Sequence, residues 1–289
     1  MDPQVMQFHD VATSTFTYVV YDQEGGTAAV VDPVLDYDPA SAWTSTASAD
    51  RVLAFVRAHQ LQLAWVLETH VHADHLTAAD YLRRMTGARV AIGAGIVGVQ
   101  QHFKRFFGLE ADFSADGRQF DLLLDDGDTF AIGGLHVRAI ATPGHTADSL
   151  TYLIGNAAFV GDTVFAPETG TARTDFPGGD AQTLYRSIHT LFHLPPATRL
   201  FLCHDYPAAG REPMAQTSIQ AQAQTNLHVG GGISEQAFVA LRAARDAQLA
   251  VPRLLLPALQ VNLRAGALPP PDHTGNRSLR LPLNQWGAA

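Results

Sequence analysis

The chain has 289 residues, 46% hydrophobic and 16% charged, which suits one large domain or two small ones and excludes a disordered polymer. No uncharged apolar run is long enough to span a bilayer, so a membrane partner is not expected. The formal net charge is −9 and the notable basic pairs are only Arg83-Arg84 and Lys104-Arg105, which argues against nucleic acid and requires a local cation for any anionic substrate.

Met1 to Asp10 lacks a basic stretch followed by an apolar one, so no secretory signal is expected and a cytoplasmic location is the default. Thr15 to Asp22 and Thr27 to Asp32 read as strands joined by a Glu24-Gly25-Gly26 turn, and Asp32-Pro33 ends the second. Val34 to Ser48 reads as a polar loop, long enough to be functional. Asp50 to His59 has helical spacing, with Val52, Leu53 and Val56 on one face. Trp65 to Leu67 is a short buried strand that stops at Glu68-Thr69-His70. Leu76 to Met85 is again helical, Arg89 to Ile92 a strand, and Val97 to Phe107 a helix. Leu122 to Ile154 is dense in strand signals, punctuated by Asp126-Gly127 and Gly133-Gly134. Ala157 to Val160 and Arg199 to Cys203 are strands flanking a helix over Ala181 to Phe192. Glu235 to Leu249 is an amphipathic helix with Phe238, Leu241 and Ala244 sharing a face. The tail after Pro252 is rich in proline and carries no chemical cluster. Residues 1–230 are therefore read as a catalytic domain and 231–289 as a C-terminal helical extension packed on it. The order of elements suits two packed sheets with helices outside, and loops at the strand ends would converge on one edge.

The chemistry concentrates in T-H-V-H-A-D-H, Thr69 to His75. His70 and His72 lie two apart at a strand end, Asp74 is expected at a helix N-terminus, and His75 opens that helix. Four donors in six residues would each cost a few kcal/mol to bury unpaired, and a metal supplies the pairing. A solvated, His-rich loop is the competing reading. Three further pieces weigh against it. His145 follows Thr142-Pro143-Gly144 after a strand, Asp162 follows Gly161 directly after another, and His204 directly follows a third. Each alone would more often be a cap or a solvated group; together and in this order they point to a metal centre. The single cysteine, Cys203, can neither close an internal disulfide nor support a Cys-rich zinc site.

These residues resemble the metallo-β-lactamase superfamily pattern: H-x-H-x-D-H, a later His, a bridging Asp and a last His. The resemblance implies an α/β fold, an αββα sandwich with the metal at the sheet edge. Binuclear hydrolases of the superfamily use all seven groups, here His70, His72, Asp74, His75, His145, Asp162 and His204. The donor set alone does not separate a two-metal hydrolase from a one-metal oxygenase.

The flanking segments are more specific. V-V-D-P-V-L-D-Y-D-P (Val30 to Pro39), L-E-T-H-V-H-A-D-H (Leu67 to His75), T-P-G-H-T (Thr142 to Thr146), G-T-A-R-T-D-F-P-G-G-D (Gly170 to Asp180) and P-R-L-L-L-P-A-L-Q-V-N (Pro252 to Asn262) resemble the persulfide dioxygenases, over nearly the whole chain. One departure is Thr174, where related bacterial proteins often carry Cys. The resemblance implies one Fe(II) per chain held by His70, His145 and Asp162, the facial-triad logic of non-haem iron oxygenases. His72, Asp74, His75 and His204 would then orient ligands and water. Arg173 would hold a glutathione carboxylate and Tyr206 would lie near the sulfur; an ion pair of Arg173 with Asp175, and ordinary packing of Tyr206, are the competing readings. The implied reaction oxidises glutathione persulfide, or a similar small persulfide, with O2 and water to sulfite and thiol, as in sulfide detoxification. The rival within the fold is a binuclear-zinc thioester hydrolase of the hydroxyacylglutathione type; a metal-containing binding module and a nuclease are weaker rivals. The preferred persulfide carrier stays open, as does a homodimer.

Overall fold

The computed structural model describes residues 2–207 and 209–285. Strand β1 (Gln4–Asp10) pairs antiparallel with β2 (Thr15–Tyr21), which pairs with β3 (Thr27–Val31). A small hairpin follows, β4 (Val34–Asp38) and β5 (Trp43–Ser45), before helix α1 (Ala47–Ala58). Strand β6 (Gln62–Leu67) lies parallel to β3, and the short β7 (Leu76–Thr77) pairs with β4. Helix α2 (Ala79–Thr86), β8 (Arg89–Gly93), α3 (Ile96–Phe107) and β9 (Leu122–Leu124) complete the first sheet, in the order β1-β2-β3-β6-β8-β9.

The second sheet runs in chain order: β10 (Thr129–Ile132), β11 (Leu135–Ala141), β12 (Leu150–Ile154), β13 (Ala157–Phe159), β14 (Arg199–Phe201) and β15 (Gln216–Ser218). Helix α4 (Ala181–Phe192) links β13 to its parallel neighbour β14. Helices α5 (Ile219–Thr225), α6 (Glu235–Asp246) and α7 (Leu255–Asn262) follow.

Period-2 alternation dictates the layering. In β2, Phe16, Tyr18 and Val20 turn toward the second sheet, where they meet Val137, Tyr152 and Phe159. Val19 and Tyr21 turn the other way, onto a layer built from α1, α2, α3 and α7. Behind the second sheet, Ile140, Ala158 and Leu200 pack on Leu184, Ile188 and Phe238 of α4 and α6. The result is the expected αββα sandwich. A bulge in β6, where Ala28 faces Leu63 but Ala29 faces Trp65, shifts the alternation so that Trp65 and Leu67 enter the space between the sheets. No helix among the described residues is long and apolar enough to cross a membrane.

Several elements differ from the sequence reading. Val34 to Ser48 is not a loop: it holds the β4–β5 hairpin, whose turn is built by Asp38 accepting from the Ala40 amide (3.0 Å) and the Ser41 hydroxyl (2.5 Å). The helix expected from Leu76 begins at Ala79, because Leu76 and Thr77 are taken as a strand by β4 and the Thr77 hydroxyl accepts the Ala79 amide (3.1 Å). Asp74 and His75 therefore lie in an irregular loop and not at a helix N-terminus. The buried face of α6 is Phe238, Arg242 and Asp246, whereas Ala244 is exposed. The tail after Pro252 forms α7, where Pro257 falls in the first turn and costs no hydrogen bond.

Candidate metal centre

Four strands end at the same edge. The loops leaving the C-terminal ends of β6, β11, β13 and β14 carry His70 to His75, His145, Asp162 and His204 respectively. Strands β11, β13 and β14 run in one direction, since β12 is antiparallel to both β11 and β13 while β14 is parallel to β13. Their loops therefore have no choice but to meet.

The loop after β6 is fixed by Asp32, which the sequence reading passed over as a strand terminator. Asp32 adopts a left-handed backbone (φ 48°) and is buried. Its carboxylate accepts the Thr69 amide (2.8 Å), the Thr69 hydroxyl (2.9 Å) and His72 Nε2 (3.0 Å). Burial opposes charge on both Asp32 and His72, but their contact outweighs it, so the carboxyl is held below its ordinary range and the imidazole well above. Glu68, 3.6 Å from His72 Nε2, is raised by burial. The signal available in the sequence was Asp-Pro directly after an apolar strand.

His145 follows Gly144, and its Nδ1 donates to the Arg173 carbonyl oxygen (2.8 Å). That bond fixes the proton on Nδ1 and leaves the Nε2 lone pair, 3.7 Å from Asp162 Oδ2, for a ligand. Asp162 follows Gly161, whose φ of 53° lets the backbone press against Thr69: a Cβ there would sit 2.6 Å from the Thr69 hydroxyl. Donor atoms of His70, His145 and Asp162 lie within 4.8 Å of one another, and those of His72, Asp74, His75 and His204 form a second such group.

The donors fit a metal. His72 Nδ1, His75 Nε2 and Asp162 Oδ1 are buried with no hydrogen-bond partner, an arrangement that proteins otherwise avoid. Burial drives His70 well below the ordinary imidazole value and His75 down to about 4, which keeps both neutral and able to ligate. Burial also raises the Asp162 carboxyl, against the nearby His204 and His145. His204 differs: burial works against its charge, but Asp74 (2.9 Å) and Asp162 (3.5 Å) push it up to about 9. Its Nδ1 and that of His75 flank the Thr15 hydroxyl at 3.3 and 3.4 Å.

A cavity of about 440 Å³ opens onto Asp74, His145 and Asp162. Phe165, Phe176 and Tyr206 give it aromatic walls, and four arginines line it: Arg173, Arg242, Arg245 and Arg253. Arg173 is not available as a free fork. Its Nε and Nη2 donate to Asp175 (2.6 and 2.7 Å), its Nη1 donates to the Ala250 carbonyl (2.8 Å), and its plane lies over Phe176. Arg242 is buried against Asp246 and donates to the Thr171 carbonyl (3.0 Å). Arg245 and Arg253 are exposed and make no ion pair within 4 Å among the described residues. Tyr206 is half-exposed, its ring 5.9 Å from Phe165 and parallel to His204 at 6.1 Å. Thr174 donates its hydroxyl to Asp246 Oδ2 (3.0 Å). The C-terminal tail, expected to carry no chemistry, reaches the centre: Asn262 donates to the carbonyls of His72 and His75 (2.8 Å each) and accepts the Thr77 amide (2.8 Å).

The metallo-beta-lactamase superfamily model matches residues 11–204. A probable metallo-hydrolase of Burkholderia pseudomallei is 50% identical over 287 residues, spanning 96% of this chain and 98% of the relative. Glyoxylase B2 of Dictyostelium discoideum is 43% identical over 279 residues, 96% of each chain. The human mitochondrial persulfide dioxygenase ETHE1 is 32% identical over 203 residues, 69% of this chain and 67% of the human one. The crystal structure of ETHE1 from Myxococcus xanthus superposes with a TM-score of 0.72 at 32% identity, covering 92% of this chain and all of that one. With the sandwich, the strand-edge donors and these matches in place, the chain belongs to the metallo-beta-lactamase superfamily and is a homologue of the ETHE1 persulfide dioxygenases.

Proposed function

We propose that the protein is an iron-dependent persulfide dioxygenase that binds one Fe(II) through His70, His145 and Asp162. The observation that carries this reading is the two-imidazole, one-carboxylate group, drawn together within 4.8 Å, with His145 and Asp162 lining the cavity; this donor set with open positions is the one non-haem iron oxygenases use. The similarity to ETHE1 supports it. Bound Fe(II) would supply the one-electron chemistry that zinc lacks. The sulfane sulfur of glutathione persulfide gives up four electrons to O2 and takes three oxygens, two from O2 and one from water; sulfite, the parent thiol and two protons leave. The chain's part is placement. The Arg173 carbonyl holds the His145 ring, Phe165 and Phe176 line the cavity wall, and His204 stands at the edge of the centre, 2.9 Å from Asp74 and 3.5 Å from Asp162. Tyr206 would stand over the sulfur from the cavity rim.

A thioester hydrolase with two metals is the second reading. The orphaned His72 Nδ1 and His75 Nε2 favour it, as do the names of the Burkholderia and Dictyostelium relatives. Metal-free protein reloaded anaerobically with Fe(II) or with Zn(II) separates the two. Oxygen uptake and sulfite release with glutathione persulfide should appear only with iron, at one iron per chain. Two zincs per chain with full hydrolysis of a hydroxyacyl glutathione thioester, and no oxygen uptake with iron, would replace the dioxygenase by the hydrolase.

Substrate carboxylates need a cation on this acidic protein. Since Arg173 is committed to Asp175, the receiving groups are Arg245 and Arg253. Arg245→Ala and Arg253→Ala should each raise KM roughly 3–10-fold with iron content and kcat little changed, the pattern of lost uniform binding at an exposed rim. Arg173→Ala should instead lower thermal stability by freeing Asp175 and the Ala250 carbonyl. A rise in KM confined to Arg173→Ala would return the carboxylate to Arg173.

A further inference from the structure

We propose that Arg242 and Asp246, one turn apart on α6, are positioning residues that set the orientation of His145 by gripping the backbone on either side of Arg173. The proposal rests on the reading of His145 as a metal ligand. It concerns how that ligand is aimed.

The His145 ring is aimed by one bond, from its Nδ1 to the Arg173 carbonyl oxygen (2.8 Å). The value of that bond depends on where the Arg173 peptide sits, and residues 163–180 carry no helix and no named strand to hold it. Two residues of α6 do so. On one side, Arg242 Nη1 donates to the Thr171 carbonyl (3.0 Å). On the other, Asp246 Oδ2 accepts both the Thr174 amide (2.9 Å) and the Thr174 hydroxyl (3.0 Å). Arg242 Nη2 closes the frame by donating to Asp246 Oδ1. Three hydrogen bonds to the loop, and a fourth within the pair, thus bracket a single carbonyl. His228 adds a fifth contact, its Nδ1 accepting the Thr171 amide (3.0 Å).

The burial of this pair needs a reason. Arg242 is 2% exposed and Asp246 7%. An ion pair taken out of water is no better for stability than apolar side chains of the same volume, and is often worse. Packing α6 on the second sheet would therefore be served as well by leucine and methionine, and Phe238 on the same face already does it. What apolar residues cannot do is donate to Thr171 and accept from Thr174. The pair's distinctive contribution is direction, and it acts through the backbone: neither side chain is among the metal donors. Thr174 belongs to the same device, because its hydroxyl supplies one of the two bonds to Asp246.

The test uses the full-length protein loaded with Co(II), whose visible spectrum reports ligand geometry, and with Fe(II). Three variants are compared: Asp246→Ala, the apolar pair Arg242→Met with Asp246→Leu, and His145→Ala. Asp246→Ala should lower metal affinity by roughly 10–100-fold, the effect of losing a partner that orients a ligand, and should alter the Co(II) spectrum. It should also lower the Tm, because Arg242 is left buried and unpaired. The apolar pair should recover the Tm while metal affinity and spectrum stay impaired. That split distinguishes aiming from packing, and it holds even if Asp246→Ala alone fails to fold. Wild-type metal affinity and spectrum in the apolar pair would overturn the proposal. If His145→Ala itself kept full metal affinity, the reading of His145 as a ligand would fall, and this proposal with it.

Discussion

His70→Ala, His145→Ala and Asp162→Ala should each release the metal and abolish turnover, whereas His75→Ala should keep the metal and lose rate. The three donors lie within 4.8 Å of one another, and a site held by three donors has no spare ligand. The loss should therefore exceed the ~10–100-fold that removing an outer partner costs. His75 stands in a different setting. Its neighbours are Asp74 (3.2 Å) and the Thr15 hydroxyl (3.4 Å), and its group of donors includes none of the three. Elemental analysis of protein purified without oxygen, paired with oxygen uptake, reads both quantities. Equal metal loss from His75→Ala and His145→Ala would show that the donors had been divided wrongly and would favour a two-metal centre.

Gly144→Ala should cost about 3 kcal/mol or more of stability, although it adds only one methyl group to a buried loop. The backbone there has φ 135°, and a Cβ would lie 2.3 Å from the amide nitrogen of Leu184 and 2.4 Å from its Cα. Those are backbone atoms of α4, so no side chain can swing aside. The helix is also pinned at this end: Asp180 caps it by accepting the Thr183 amide (2.7 Å), and the Asp180 amide donates to the Gly144 carbonyl (2.9 Å). Overpacking costs about 1–3 kcal/mol and a strained backbone adds about 1–3 kcal/mol, which together correspond to a fall in Tm of roughly 10 °C. Since His145 is the next residue, metal affinity should fall as well. A thermal melt within a degree or two of wild type would refute the steric argument.

The candidate donors were visible in the sequence because they follow apolar strands in a fixed order; any one of them alone would have read as a cap or a solvated group. Ala181–Phe192 was readable to the residue, since an Asp cap and a clean apolar spacing bound it. Other parts were hidden for physical reasons. Strand β1 is a half-exposed edge, so its residues carry little apolar signal. The β4–β5 hairpin is polar because Asp36 turns to the Ser48 amide and hydroxyl at the start of α1. On α6 the apolar pattern suggested Leu241 and Ala244 as buried, but an ion pair occupies the inner face, and a charged residue reads as solvent-facing until its partner is seen. For Arg173 the motif left a carboxylate-binding fork and an ion pair with Asp175 as competing readings, and the structure has the ion pair. Asp32 and Asn262 were missed because their partners lie far away in the chain.

Asn262 sets a timetable. The carbonyls of His72 and His75 receive its amide across separations of 190 and 187 residues. Protein synthesis proceeds from the N-terminus at roughly 5–20 residues per second, so the His70–His75 loop exists for about ten seconds or more before its last restraint is made. During that interval the β6 loop is held by Asp32 but lacks the two bonds that Asn262 makes to the His72 and His75 carbonyls. Its restraints are complete only after α7 has docked, at the end of biosynthesis. A ribosome-stalled chain ending before residue 255 should accordingly bind Co(II) more weakly than the full-length chain in a metal titration of the two.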